Sequence, residues 1–317
     1  MKIPANVKYV IIEQMMSREG NMLNVKWLCE TAGVSRSGYY HYLKTAELRD
    51  QREERDRADF EIILTAYKHR GFDKGARGIY MRLLHLKPPV NMNLKKIRRL
   101  MHKFGLFCPI RKANPYRRLI KALKTNAVAD NLLNREFEIH GPRMVLLTDI
   151  TYIINGKAPR CYMSTIIDAC TKELLAWVLS ESLEVDFVLE TVEIAISKHG
   201  IEMTTETMVH SDQGVHYTSV QFRELLHNKN LRQSMSRKAN CWDNAPQESF
   251  FGHMKDEIDI SECSTFEEIK AVISDWTDYY NNERYQWDLA KLAPTEYYEY
   301  LTTGVYPLTI PKAKGQQ

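Results

Sequence analysis

The chain has 317 residues, 44% hydrophobic and 26% charged, the composition of an ordinary globular protein with room for two or three domains of roughly 100 to 200 residues. That excludes a disordered chain, a fibre and a small disulfide-stapled scaffold. No run of about 18 apolar residues appears, and the N-terminal stretch MKIPANVKYVIIEQMM lacks the apolar core and cleavage site of a secretory signal, so a cytoplasmic protein with no membrane association is expected.

The net charge of +4 conceals two opposed parts: residues 1–140 hold 28 Lys and Arg against 14 Asp and Glu, and the remainder holds 16 against 26. Residues 74–124 carry 15 basic residues and no acid, a one-sign field that would attract a polyanion, with nucleic acid the natural candidate. The six cysteines, Cys29, Cys108, Cys161, Cys170, Cys241 and Cys263, contain no C-x-x-C pair. They read as reduced, buried small residues and not as a zinc knuckle.

In chain order, residues 24–44 read as two short helices joined at Gly33, with Asn24 in front and Ser35 capping the second. Trp27, Leu28 and Ala32 supply one apolar face, and Tyr39, Tyr40 and Leu43 pack back on it. This is a helix-turn-helix pattern whose second helix would present Arg36, Ser37 and His41 to the major groove. A plain helical hairpin is the competing reading. Residues 45–70 form a charged helix of mixed sign. ARGIYMRLLHL and NLKKIRRLMHKFGL form a second helical pair, interrupted by Pro88 and Pro89 and capped by Asn93. Ile97, Leu100, Met101 and Phe104 make its apolar stripe, leaving Lys95, Lys96, Arg98, Arg99 and Lys103 outside. Residues 108–140, with Pro109, Pro115, Arg117 and Arg118, read as a basic linker that tracks a phosphate backbone. The expected domains are thus 1–48, 49–107, the linker, a catalytic domain over 141–300 and a tail over 301–317.

Beyond residue 140 the texture becomes β-rich. Strands are expected at 144–153, 161–170, 173–180, 207–212 and 231–236, with helices at 184–198 and 219–228. Three strands in succession, then helix, strand, helix, strand and helix, give an α/β fold: a mixed five-stranded sheet with flanking helices behind an all-α DNA-binding region.

Three acids stand out. Asp149 lies inside an apolar strand, Asp212 follows the apolar end of another, and Glu248 projects from the first turns of a helix, with Phe251 and Lys255 on the same face. A carboxylate in an apolar setting costs several kcal/mol unless it is neutralised or coordinated. Converging at one sheet edge, these acids would offer hard oxygen ligands to two Mg²⁺ ions, with Mn²⁺ as a substitute. Spacing alone does not separate such a triple from ordinary surface carboxylates, because residues 141–317 hold 26 acids.

The words around the acids do separate it. TDITYI at Asp149, HSDQGVHYTS at Asp212 and SRKANCWDNAPQESFFGHMKDE at Glu248, with 35 residues between the last two acids and a lysine seven residues after the Glu, resemble the catalytic signatures of bacterial insertion-sequence transposases related to retroviral integrases. The chain resembles the insertion-sequence-three family, and LCETAGVSRSGYYHYLK and YYNNERYQWDLAKLAPTEYYE extend the resemblance to both ends. Leu146, Ala239 and Gln286 depart from the family pattern without removing a ligand.

The resemblance implies a ribonuclease-H-like catalytic core with Asp149, Asp212 and Glu248 as ligands of two divalent ions. It also implies cleavage and transfer of DNA strands at the inverted-repeat ends of an element, with joining of those ends into a circle before insertion into target DNA. Working on two ends calls for a homodimer or a larger synaptic assembly, and the family's downstream reading frame raises an upstream-frame protein or fusion as a further partner. A nucleoid-associated location follows.

Among lesser candidates, Asn244 and Arg284 are expected to touch DNA, alongside Lys255. Trp242 and Trp287 divide between base stacking and core packing. Asp168 reads equally as a residue tuning the metal site or as a buried, hydrogen-bonded acid, Asp243 reads as a cap, and His210 and His216 more often serve as ordinary hydrogen-bonding histidines. A nuclease that cuts without joining and a non-catalytic DNA-binding regulator are the alternative functions.

Overall fold

A computed structural model describes residues 3–71, 74–109, 141–154, 157–235 and 245–309. The chain divides into two compact units, the first ending at Thr65 and the second beginning at Ala66. The division falls within the charged helix.

The first unit contains α1 (Ala5–Met16), α2 (Val25–Ala32), α3 (Arg36–Lys44) and most of α4 (Ala46–Lys68). Asn24 and Ser35 cap α2 and α3 through hydrogen bonds from the Trp27 and Gly38 backbones at 2.8 and 3.0 Å. Gly33 turns the chain at φ 64°, the left-handed region that suits glycine. The core differs from the expected one. Ile12, Leu28, Cys29 and Tyr39 are buried, whereas Trp27 is 50% and Tyr40 56% exposed. Helix α1, which the sequence reading left out, causes this by covering the Leu28–Cys29 side of the hairpin. Gly38 admits its approach, since a Cβ there would run into the Tyr9 hydroxyl.

The second unit opens with α5 (Ala76–Leu84) and α6 (Leu94–Lys103). Asn93 caps α6 through the Lys96 N–H at 2.8 Å, and Ile97, Leu100 and Met101 are buried as the stripe predicts. The expected linker lies almost wholly outside the described residues.

The sheet follows. Strands β1 (Val145–Ile153), β2 (Cys161–Asp168) and β3 (Leu174–Ser180) form an antiparallel meander. Helix α7 (Asp186–His199) leads to β4 (Met208–Ser211), and α8 (Val220–Asn228) to β5 (Arg232–Met235). The order is β3-β2-β1-β4-β5, with β4 parallel to β1 and β5 parallel to β4. Helices α9 (Ala245–Glu257), α10 (Phe266–Asn282) and α11 (Pro294–Thr303) complete the unit.

The sheet is buried on both sides. Ile153, Met163 and Ile167 pack on Phe250, Phe251 and Met254 of α9 and on Ile273 and Trp276 of α10. Leu146, Ile166 and Val178 pack on Val188 and Val192 of α7 and Phe222 of α8. Alternation along β1 therefore directs its odd-numbered residues toward α9.

Two ionic clusters brace this unit. Arg143, 2% exposed, donates to Asp168, Glu173 and Glu202 at 3.0, 2.8 and 3.0 Å. Glu283, at the end of α10, accepts from His69, from Arg70 at 3.0 Å and from Arg82 at 3.0 Å, which ties α5 to α10.

Candidate active site

Parallel pairing brings two of the three acids together. Strand β1 pairs with β4 only over Val145–Leu147, so Asp149 stands just beyond the last contact, where β1 and β4 part. Asp212 follows the last residue of β4 at the same end, the carboxyl-end position at which open α/β sheets bind ligands. Asp149 points to the α9 side of the sheet, and α9 supplies Glu248 in its first turn.

Asp149 is half-buried, while Asp212 and Glu248 are exposed. Burial pushes the Asp149 carboxyl up to about 7, and the neighbouring charges of Asp212 and Glu248 act in the same direction. A hydrogen bond from the Ile150 N–H at 2.7 Å and the Lys255 ammonium oppose the rise. Burial in turn lowers the Lys255 pKa, and Asp149 raises it. Asp212, Glu248 and Lys255 are therefore each within electrostatic reach of Asp149.

Among the described residues no three His, Cys, Asp or Glu side chains already enclose a cation position. The three acids are neighbours, not a finished cage. Their chemistry nonetheless fits a hard divalent cation: all are oxygen donors, and Asp149 carries an ionisation cost that a cation would offset.

The surrounding residues fix this arrangement. The Gly214 N–H donates to Oδ1 of Asp212 at 2.8 Å. Beneath, Tyr217 is 2% exposed, with its hydroxyl 3.4 Å from that of Thr148. Its pKa is raised by burial and then by the charges of Asp149 and Asp212. Gln247, wholly buried, donates to the Leu147 carbonyl at 2.7 Å and accepts from the Thr165 hydroxyl at 3.1 Å. The sequence reading missed Gly214, Tyr217 and Gln247. For Gln247 a signal existed: Phe250, Phe251 and Met254 lie three, four and seven residues on, so a polar side chain sits on the helix's apolar stripe.

Other expectations divide. Phe251 is 7% exposed and belongs to the core, because it packs against the sheet, while Glu248 on the same helix is exposed. Asp168 is wholly buried on Arg143, which fits the structural reading. His210 bonds Ser234 at 3.0 Å and His216 bonds the Leu183 carbonyl at 2.7 Å. Arg284 closes on Glu257 at 3.1 and 2.8 Å, so its guanidinium is turned into the protein. Trp287 is 40% exposed, with Arg77 and Lys291 about its ring at 5.3 and 5.4 Å.

Arg36, Ser37 and His41 share the exposed side of α3 in the first unit, and Lys95 and Arg99 are exposed on α6, with Lys96 half-buried. Arg117, Arg118, Trp242, Asp243 and Asn244 lie outside the described residues. The described cysteines are free thiols, all buried except Cys108, and no described helix is long and apolar enough to cross a membrane.

Comparison with known proteins places this geometry. Residues 140–241 and 229–294 match two models described as integrase core domain, and residues 53–114 match an HTH-like domain. The chain is 31% identical to the putative transposase InsK for insertion sequence element IS150 of Escherichia coli strain K12, over 85% of this chain and 92% of that protein. It is 27% identical to transposase InsF for insertion sequence IS3A of the same strain, over 89% and 95%. Among solved structures, the HTLV-2 integrase catalytic core domain in complex with magnesium, in its dimeric form, aligns at 12% identity with a TM-score of 0.38, covering 50% of this chain and 97% of that one.

Proposed function

This chain belongs to the insertion-sequence transposases that carry an integrase core, enzymes of polynucleotidyl transfer, and from that premise we propose that it binds the inverted-repeat ends of its own element, cleaves them and transfers the freed strands. Asp149, Asp212 and Glu248 would hold two divalent cations, Mg²⁺ with Mn²⁺ as a substitute. Such cations supply Lewis-acid stabilisation to the attacking and leaving oxygens of an in-line displacement at phosphorus.

The chain's own residues do the rest. Asp149 stands on the sheet and Glu248 in the first turn of α9, near enough for its charge to reach Asp149, so the reacting phosphate would be held between two rigid elements, which lowers the entropic cost of alignment. Lys255, within electrostatic reach of Asp149, contacts the backbone next to the scissile phosphate. On α3, Arg36, Ser37 and His41 read the major groove of the end sequence. Lys95, Lys96 and Arg99 on α6 take phosphates, as do Arg117, Arg118 and Asn244. Two ends require a homodimer or larger assembly, with an upstream-frame protein or fusion as a further partner.

The observation that carries this reading is the convergence of three carboxylates at the end of the parallel β1–β4 pair, where burial pushes Asp149 up to about 7 and the charges of Asp212 and Glu248 add to the rise. The test is cleavage and joining on labelled DNA carrying the element's ends, with Mg²⁺ or EDTA, beside Glu248→Gln. Metal-dependent joined products that vanish in the variant support it. Cutting without joining points to a nuclease, and end binding without chemistry to a regulator.

A further inference from the structure

Helix α9 delivers Glu248, yet Glu248 is exposed and makes no contact that fixes its height above the sheet among those described. The residue before it does. Gln247 enters the interface between α9 and the sheet with no exposed surface, and both ends of its carboxamide are engaged. Its Nε2 donates to the Leu147 carbonyl on β1 at 2.7 Å, and its Oε1 accepts from the Thr165 hydroxyl on β2 at 3.1 Å.

Both partners are placed by Asp149. Leu147 lies two residues before it on the same strand face, and Thr165 is its register partner across the β1–β2 ladder. The Thr165 hydroxyl also stands 3.4 Å from the Asp149 carbonyl. One side chain thus spans the two strands at the level of Asp149 while its backbone carries Glu248. A buried amide with both functions satisfied is directional in a way apolar packing is not, because sliding α9 along the sheet leaves a donor and an acceptor unpaired.

We propose that Gln247, with Thr165, is the positioning residue that sets the separation of Glu248 from Asp149 and so the cation affinity of the site. This rests on the assignment of Asp149, Asp212 and Glu248 as cation ligands. Partners that orient ligands in this way typically change metal affinity about 10–100-fold when removed.

The experiment titrates Mn²⁺ into the full chain by calorimetry, without DNA, on variants whose circular dichroism matches the parent. Gln247→Met keeps the length and loses both hydrogen bonds, and Mn²⁺ affinity should fall about 10–100-fold. Thr165→Val should weaken binding in the same direction, while Thr165→Ser, which keeps the hydroxyl, should restore it. A merely structural role predicts something else: lower thermal midpoints for Gln247→Met and Thr165→Val with parental Mn²⁺ affinity, and that result overturns the proposal. If Gln247→Met does not fold, the Thr165 pair decides alone. Glu248→Gln separates the two levels of inference. Parental affinity in that variant, or no binding by the parent, removes the ligand assignment itself and this proposal with it, whereas loss in Glu248→Gln with parental affinity in Gln247→Met and Thr165→Val removes only the role of Gln247.

Discussion

The backbone N–H of Gly214 donates to Oδ1 of Asp212 at 2.8 Å, and a Cβ on Gly214 would stand 2.9 Å from that same oxygen. The bond holds the carboxylate against the turn that follows β4, and a side chain at position 214 would have to push that oxygen aside. Gly214→Ala should displace the carboxylate while leaving the sheet intact. A loss of about 100-fold in strand cleavage is expected, since shifts near 1 Å at a reacting centre have that effect. Unchanged cleavage would show that the turn does not position Asp212.

The pH dependence of stability has a definite sign at Asp149. Its carboxyl is raised from 3.8 to about 7, so the folded chain binds the proton more tightly than the unfolded one. The resulting stabilisation is complete below about 3.8 and is lost as pH rises through about 7. In EDTA, Asp149→Asn should therefore unfold at a higher temperature than the parent at pH 8, with the difference shrinking as pH falls toward about 3.8. In Mg²⁺ at pH 8 its cleavage rate should fall by about 10³-fold or more, the worth of several kcal/mol of charge stabilisation.

Glu283 behaves in the opposite sense. Burial alone would raise its pKa, but hydrogen bonds from His69 and Arg70 outweigh it and hold the carboxyl down to about 2 from 4.5. Stability from this cluster is present above about 4.5 and lost as pH falls toward 2. Glu283→Gln should cost about 1–3 kcal/mol at pH 7 in denaturant titrations. That difference should shrink steadily in acid, and a constant difference down to pH 2.5 would contradict the assignment.

Asp168 tests whether a buried acid in the catalytic half is catalytic. It has no exposed surface and is held by Arg143 at 3.0 Å. Asp168→Ala removes one of the three carboxylates that Arg143 donates to, leaving Glu173 and Glu202, and should destabilise the second unit by about 1–3 kcal/mol. Cleavage per folded molecule at low temperature should remain near that of the parent, the reverse of what Glu248→Gln should give.

Much of this molecule was legible in the order of its residues. Strand periodicity and turn residues marked all five strands to within two residues, because alternation and apolar runs are local consequences of a sheet buried on both faces. Asn24, Ser35 and Asn93 announced their helices because capping is a contact three residues long. The three acids stood out by the words around them. Other features depended on which surfaces meet. Trp27 looks like core from its own helix, and only the arrival of α1 on the other side leaves it in solvent. Arg284 looks like a DNA contact until Glu257, 27 residues earlier, closes on it. The junction of Asp149, Asp212 and Glu248 exists because β1 and β4 run parallel and part after Leu147, a pairing across more than 60 residues of chain. Local sequence fixes periods and caps through short-range sterics and hydrogen bonds, whereas long-range pairing decides which carboxylates share a field and which buried amide bridges β1 and β2 beside Asp149.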